Sequence, residues 1–450
     1  MDRLQKYLEV IPLPVLLIAP FVGLFAFLFM PKRFRLDLMI IAMVMWLVLG
    51  RLVEIGVVQQ VTKATTFAII LALGLAAWLD PVPKRRLPMI VWAYPVMACI
   101  AYIYVLTVED FALAVVLRTQ WLFMCVAAIL VAQTVRDDLS MVRVLRAFAI
   151  GLGISVMFPL SDLVLHPSEA IRKGLGRFEP YGTNSNQIGV LFTMAFPLLV
   201  LFGIHIKSLI WKPMALGIAA IALGMGLLTG SRSTLVTMVL PSIPCGLALA
   251  RRPVMLVVGG AMGVVLLALV IQQAAGNTAF DRFQSIETGR VEIFMDYLRE
   301  SVAERPIFGL LGTQGMSVLR DEAEGTHAHN AYLEITYMGG LSFSFPMLIL
   351  ACATMASAAF VYMKRKQIHA QPVLTATLVA FTFTVYAQGF VNGSIYYPTN
   401  EWAFFHLFLS MCMLTWASDL MSGREPLEPW EMASEHDGAY ADGQASEDAA

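Results

Sequence analysis

The chain has 450 residues, 58% hydrophobic and only 14% charged, with a mean hydropathy of +0.72 and a formal net charge of −1. Such a composition belongs to a polytopic membrane protein and excludes an ordinary soluble domain. With no basic stretch it offers no electrostatic footprint for nucleic acid, and its five cysteines, each in an apolar run with no CxxC, read as packing residues.

Thirteen apolar runs are long enough to span, near residues 10–30, 36–53, 64–80, 87–107, 111–133, 141–163, 185–204, 211–228, 233–250, 253–273, 329–362, 371–391 and 400–420. The first carries Pro12, Pro14 and Pro20 and reads as kinked or re-entrant, and as a span that stays rather than a cleaved signal. Residues 36–53 and 64–80 are short, so the expectation is twelve or thirteen transmembrane helices. Basic residues cluster in alternate short loops, at Lys32/Arg33/Arg35, Lys84/Arg85/Arg86, Arg136/Arg143/Arg146 and Lys364/Arg365/Lys366, while the loops at Glu109/Asp110 and 392–400 carry none. By the positive-inside rule the first set is cytoplasmic and the long loop 274–328 faces away from the cytoplasm.

Taken in order, the first unusual residue is Arg118, two turns inside a span and roughly 10 Å from its end. An intramembrane charge is a candidate functional residue, and a structural pair with Glu54 or Asp162 is the competing explanation. Next, GRFEPYGTNSNQIG (176–189) leads into the run at 185; Asn184 or Ser185 in it also suits a helix cap. A tight turn, TGSRST (229–234), then holds Arg232 alone among apolar helices, where it either binds an anion or snorkels.

The polar loop 274–328 interrupts the series of spans. Val291, Phe294, Met295, Leu298 and Val302 recur at helical spacing, Pro306 ends the pattern, and Gly309, Gly312 and Gly315 loosen the chain beyond it. The loop therefore reads as a folded helical lobe. Arg290 sits in the first turn of that helix, against the macrodipole, so it is either a frayed exposed end or an anion-binding residue. The loop has nine acids and five arginines, so any phosphate binding rests on particular arginines. At its close, His329 stands at the mouth of an apolar helix, where the dipole favours a neutral imidazole, and Asn330 and Glu334 share a face one turn apart. His327 and His329 form an HxH without a third nitrogen or sulfur ligand nearby, so no metal is expected. The tail 422–450, with eight acids and one Arg, reads as disordered and cytoplasmic.

Together these segments resemble the O-antigen ligase and O-antigen polymerase superfamily of bacterial envelope enzymes. The resemblance covers about 177–341. It rests on Gly182-Thr183-x-x-Asn186 before a span, the Ser231-Arg232 turn, Arg290 opening the loop helix, and the Pro306-x-x-Gly309-x-x-Gly312 turn. It ends on His329-Asn330-x-x-Leu333-Glu334 with Gly339 and Gly340. It implies an all-α, GT-C-like membrane fold with N-terminal helices at 1–163, a ligase/polymerase-like core at 164–421 and the tail beyond.

The implied activity is glycosyl transfer at the periplasmic face of the bacterial inner membrane, from an undecaprenyl-diphosphate-linked glycan to a hydroxyl of an acceptor glycan or of lipid A-core. No cofactor and no metal are implied. Arg232 and Arg290 would hold the diphosphate and His329 would take the acceptor proton; Arg177, Asn186, Asn330, Glu334, Arg118 and His327 would bind substrate. Membrane lipids and polysaccharide export or chain-length proteins are the implied partners. The competing class is a lipid-linked glycan flippase or other transporter, which should show paired repeats and midplane charges in both halves; here the polarity gathers around one loop.

Overall fold

The computed structural model describes residues 27, 29–52, 56–102, 111–172, 176–206, 208–250, 290–299, 306–309, 330–368, 370–390 and 401–427. The expected runs at 10–30 and 253–273, most of the loop 274–328 and most of the tail lie outside them. Within them the protein is an all-α, multi-pass membrane protein. Its helices are α1 (Arg35–Leu49), α2 (Gly56–Trp78), α3 (Ala93–Ile100), α4 (Phe111–Gln133), α5 (Asp138–Leu165) and the single turn α6 (Pro167–Ala170). After a short hairpin come α7 (Ser185–His205), α8 (Trp211–Leu228), α9 (Arg232–Ala250), α10 (Arg290–Leu298), α11 (Ala331–Met363), α12 (Pro372–Gly389) and α13 (Glu401–Met421).

Among the described residues six helices are long and apolar enough to cross a membrane: α5, α7, α8, α12, α13 and the 25-residue segment Gly339–Met363 of α11. One departure from an all-helical chain is a two-residue antiparallel ladder, β1 (Ile171–Arg172) with β2 (Arg177–Phe178), in register Ile171 to Phe178. It closes the turn between α6 and α7, too short to form a layer.

The helix starts follow from local chemistry. Asp137 and Ser140 form a reciprocal capping box at α5, with Ser140 N–H donating to Asp137 Oδ1 at 2.7 Å and Asp137 N–H to Ser140 Oγ at 3.0 Å. Pro372 occupies the first turn of α12, where its missing N–H costs nothing. Inside the apolar helices, hydroxyls satisfy themselves on their own backbone: Thr382 donates to Leu378 O at 2.9 Å and Thr415 to Met411 O at 2.7 Å. Small residues let helices approach. A Cβ on Gly151 of α5 would lie 3.0 Å from Val44 Cβ and 3.1 Å from Ile41 O on α1. The centre packs around Phe148 of α5 against Phe405 and Phe408 of α13, at ring distances of 5.2 and 6.1 Å.

Two ends of the bundle are held by different residues. At one end Arg143 Nε meets Asp37 Oδ1 at 2.7 Å and its Nη1 meets Asp80 Oδ2 at 3.2 Å, while Arg85 pairs with Asp419. At the other, Arg51 beyond α1 pairs with Glu401 at the start of α13. Glu401 and Asp419 lie on one helix, about 27 Å apart at about 1.5 Å per residue.

Candidate functional site

The Glu401 end gathers most of the residues singled out in the sequence. Asn184 caps α7, its Oδ1 accepting Asn186 N–H at 2.9 Å, so the capping reading of that residue holds. Arg177 on β2 reaches over this cap. Its Nε donates to Thr229 O at 3.0 Å and its Nη2 to Asn186 Oδ1 at 3.0 Å. Thr229 closes α8 and Arg232 opens α9 three residues later. One guanidinium thus bolts the Gly-Thr-x-x-Asn segment to the Ser-Arg turn, over 52 residues of sequence.

Arg51 secures the same segment from beneath. Its Nη1 donates to Gln187 O at 3.0 Å, its carbonyl accepts Thr183 Oγ1 at 3.0 Å, and its charge is met by fully buried Glu401. Neither Arg51 nor Glu401 is marked out by the sequence: the pair joins positions 350 residues apart, and Glu401 reads only as a polar start to the last span.

The turn between hairpin and cap is strained. Tyr181 has φ 49° and ψ 38°, the left-handed region, which costs a non-glycine residue about 1–2 kcal/mol. Buried Asp162 holds it there, its Oδ2 accepting Tyr181 N–H at 2.7 Å while its Oδ1 meets His166 Nδ1 at 3.1 Å. Asp162 is therefore committed within its own loop and is not the partner of Arg118; Glu54 lies outside the described residues. Arg118 itself is half-buried on α4 with no hydrogen bond or ion pair among the described residues.

A second group of candidate residues centres on α11. Asn330 caps it, with Oδ1 accepting Tyr332 N–H at 3.0 Å and Leu333 N–H at 3.1 Å; Asn330 and Glu334 are both buried. Capping thus occupies the Asn330 side-chain oxygen. Tyr332 fastens this first turn to α12, donating its hydroxyl to Tyr386 O at 2.9 Å and packing its ring 4.6 Å from Phe390. The Tyr386 carbonyl lies in the last turn of α12, one of the orphan acceptors of a helix end. His327 and His329 lie outside the described residues.

α11 is broken at Gly340, whose φ of 61° and ψ of −167° only glycine adopts readily. The helix that follows Asn330 is therefore a short segment, 331–339, set off from the long span; the simple picture of a base at the mouth of one transmembrane helix needs that correction. The break is filled by the lobe. Pro306 O accepts Leu341 N–H at 2.8 Å and Ile307 O accepts Ser342 N–H at 3.0 Å, so the two donors freed by the break are satisfied by the Pro306–Gly309 turn. A Cβ on Gly309 would sit 2.5 Å from Gly340 N. The glycines on the two sides are small because the two backbones touch.

Arg290 is the first described residue of the lobe helix α10; the residues before it and the Arg290 side chain lie outside what is described. Its packed face is only partly the expected one: Phe294 is half-buried, and the Val291 side chain lies outside what is described. Met295 is 60% and Leu298 38% exposed, while Tyr297 is fully buried against Tyr337 at a ring distance of 4.9 Å, with Ile293 and Leu333 beside them. The i, i+4 pair Ile293/Tyr297 wins because Tyr337 and Leu333 offer an aromatic and aliphatic seat on α11. Val302 and Gly312 lie outside the described residues.

The opposite end is a set of mutually neutralised charges. There burial pushes the Lys84 ammonium below its ordinary pKa, against the pull of Asp80. Among the described residues no group of three or more His, Cys, Asp and Glu side chains is placed to hold a metal ion. The chain matches no protein-family model and no curated protein by sequence.

Proposed function

We propose that the protein is a GT-C-like glycosyltransferase of the bacterial inner membrane, working at the periplasmic face. It moves a glycan from undecaprenyl diphosphate to a hydroxyl of an acceptor glycan or of lipid A-core, as an O-antigen ligase or a polymerase of O-antigen or exopolysaccharide. The observation that carries this reading is the clasp of Arg177 on Asn186 and Thr229, which joins the turn before Arg232 to the Gly-Thr-x-x-Asn segment at one end of the bundle. The docking of the Pro306–Gly309 turn into the break at Gly340 supports it too, since it ties the lobe opened by Arg290 to the helix that follows His329.

In this account Arg232 and Arg290 balance the charge that develops on the departing diphosphate, which needs neither metal nor nucleotide. His329 takes the proton of the attacking hydroxyl. The C–O bond to the diphosphate breaks as the acceptor oxygen bonds the anomeric carbon, inverting it. Asn186, Glu334 and Arg177 orient the glycan or the base; the Asn330 cap fixes the turn that follows His329. Arg118 and His327 are further contacts to substrate.

The rival is a lipid-linked glycan flippase, since transporters build midplane sites from interrupted helices; the break in α11, however, lies at Gly340, where the apolar span Gly339–Met363 begins. Deleting the gene separates the possibilities, with lipopolysaccharide ladders and secreted polysaccharide assayed apart. Loss of ladders with lipid-linked polymer accumulating on the periplasmic side marks a ligase, and loss of polymer beyond one repeat marks a polymerase. Accumulation of the lipid-linked glycan on the cytoplasmic side marks a flippase and contradicts the enzyme reading.

A further inference from the structure

The lap of chain between α5 and α7 contains a histidine that the transfer reading does not use. His166 follows the last residue of α5 and directly precedes Pro167, and its Nδ1 lies 3.1 Å from Oδ1 of Asp162 one turn earlier. Asp162 is 3% exposed, whereas the His166 side chain is 53% exposed. Where the carboxylate is the acceptor at this contact, Nδ1 is the nitrogen that carries the hydrogen. In the neutral ring of that tautomer, Nε2 is the acceptor nitrogen of a side chain that is half exposed.

The same carboxylate holds the strained Tyr181, and Tyr181 Oη lies 2.9 Å from Ser161 Oγ. Glu179 N–H closes the lap on Ala170 O at 2.8 Å, and the ladder pairs Arg172 with Arg177. One buried Asp therefore fixes both the direction of the His166 ring and the turn that leads into Thr183 and Asn186. A residue held in a sparsely populated conformation needs surroundings that over-determine it, and such surroundings cluster at ligand sites.

We infer that Asp162 and His166 form a glycan-recognition pair, in which His166 Nε2 accepts a hydrogen bond from a hydroxyl of the acceptor glycan. This rests on the glycosyl-transfer reading and adds to it a positioning contact for the acceptor. A bare imidazole nitrogen suits a hydroxyl donor. It does not suit a diphosphate, whose oxygens are themselves acceptors.

The test uses the full-length protein in nanodiscs, with the lipid-linked glycan and the acceptor glycan extracted from the same cells. His166→Ala and Asp162→Asn should each raise the acceptor KM about tenfold, with kcat and donor KM within about threefold of wild type. His166→Gln, whose carbonyl can still accept, should recover most of the loss. A residue that only caps α5 predicts no difference between Ala and Gln. Nitrogen-15 NMR of labelled histidine gives a reading independent of turnover: Nε2 unprotonated in the wild-type neutral ring, and protonated in Asp162→Asn, whose amide donates to Nδ1. An unchanged acceptor KM in His166→Ala, a rise in donor KM instead, or an Nε2–H wild-type tautomer overturns the inference. If the wild type transfers nothing, the transfer reading fails by itself. Titrating the delipidated acceptor glycan against the His166 Nε2 resonance then decides this one, and the absence of a shift overturns it.

Discussion

The two ends of the bundle differ in what their arginines hold. At the Asp419 end, acids and arginines consume one another: Arg143 serves both Asp37 and Asp80, and Arg85 serves Asp419. At the Glu401 end one arginine is paired as well, Arg51 with Glu401, but Arg51 also donates to Gln187 O and Arg177 to Thr229 O and Asn186 Oδ1. The same end also holds the strained Tyr181 and the exposed ring of His166. Paired charges at one end fix helix ends. Anchored arginines and a strained turn at the other fix the geometry of loops, which a substrate site requires and a helix bundle does not.

The sharpest way to break this comparison is one arginine from each end. Arg177→Ala should lower transfer about 100-fold by releasing Asn186 and the Ser-Arg turn, with Arg177→Lys only partly restoring it because the fork is lost. Arg143→Ala should leave transfer per folded molecule within about threefold of wild type. It should cost about 3 kcal/mol of stability instead, since it strands buried Asp80. Activity normalised to folded protein, beside thermal unfolding in detergent, separates the two. Equal losses of activity would mean that both ends serve structure alone.

A smaller effect belongs to the lobe. Tyr297→Ala empties the seat against Tyr337 and should weaken docking by about 3 kcal/mol, raising amide exchange at Leu341 and Ser342 on the order of 100-fold. Gly340→Ala acts at the same contact, where an added Cβ meets the backbone of Gly309 and Ile307, and should raise exchange there about tenfold or more. Met295→Ser on the exposed face of α10, and Gly246→Ala, where an added Cβ meets nothing within 4 Å, should change exchange less than about twofold. If Met295→Ser matched Tyr297→Ala, the expected face of the helix would be the packed one after all.

The contrast between those two faces shows where the sequence is legible. Apolar length places the helices that begin at Ser185, Trp211, Arg232 and Pro372 within a residue or two, because hydrophobic runs and their caps are local. Asn184 as a cap is local as well. The packed face of α10 is not, since Val291, Met295 and Leu298 match a helical period as well as Ile293 and Tyr297 do, and only Tyr337 on α11 chooses between them. Gly339 and Gly340 are visible as letters, but their meaning comes from the turn 306–309 lying against them. Arg51 with Glu401 is a pairing that no spacing reveals. Asp162 and His166, by contrast, stand at i and i+4 and are readable in the sequence; their signal is short and is matched by ordinary helix-end pairs.

The most direct measurement follows the glycan itself. Purified protein in nanodiscs, loaded with undecaprenyl-diphosphate-linked glycan and given acceptor, should release undecaprenyl diphosphate as the glycan appears on the acceptor. It should do so in EDTA. His329→Ala should bind the donor as the wild type does and transfer at least about 100-fold more slowly, as loss of a general base implies. A wild type that binds donor without ever releasing undecaprenyl diphosphate, or a His329→Ala variant that keeps near wild-type turnover from about pH 6 to about pH 8, would contradict the account.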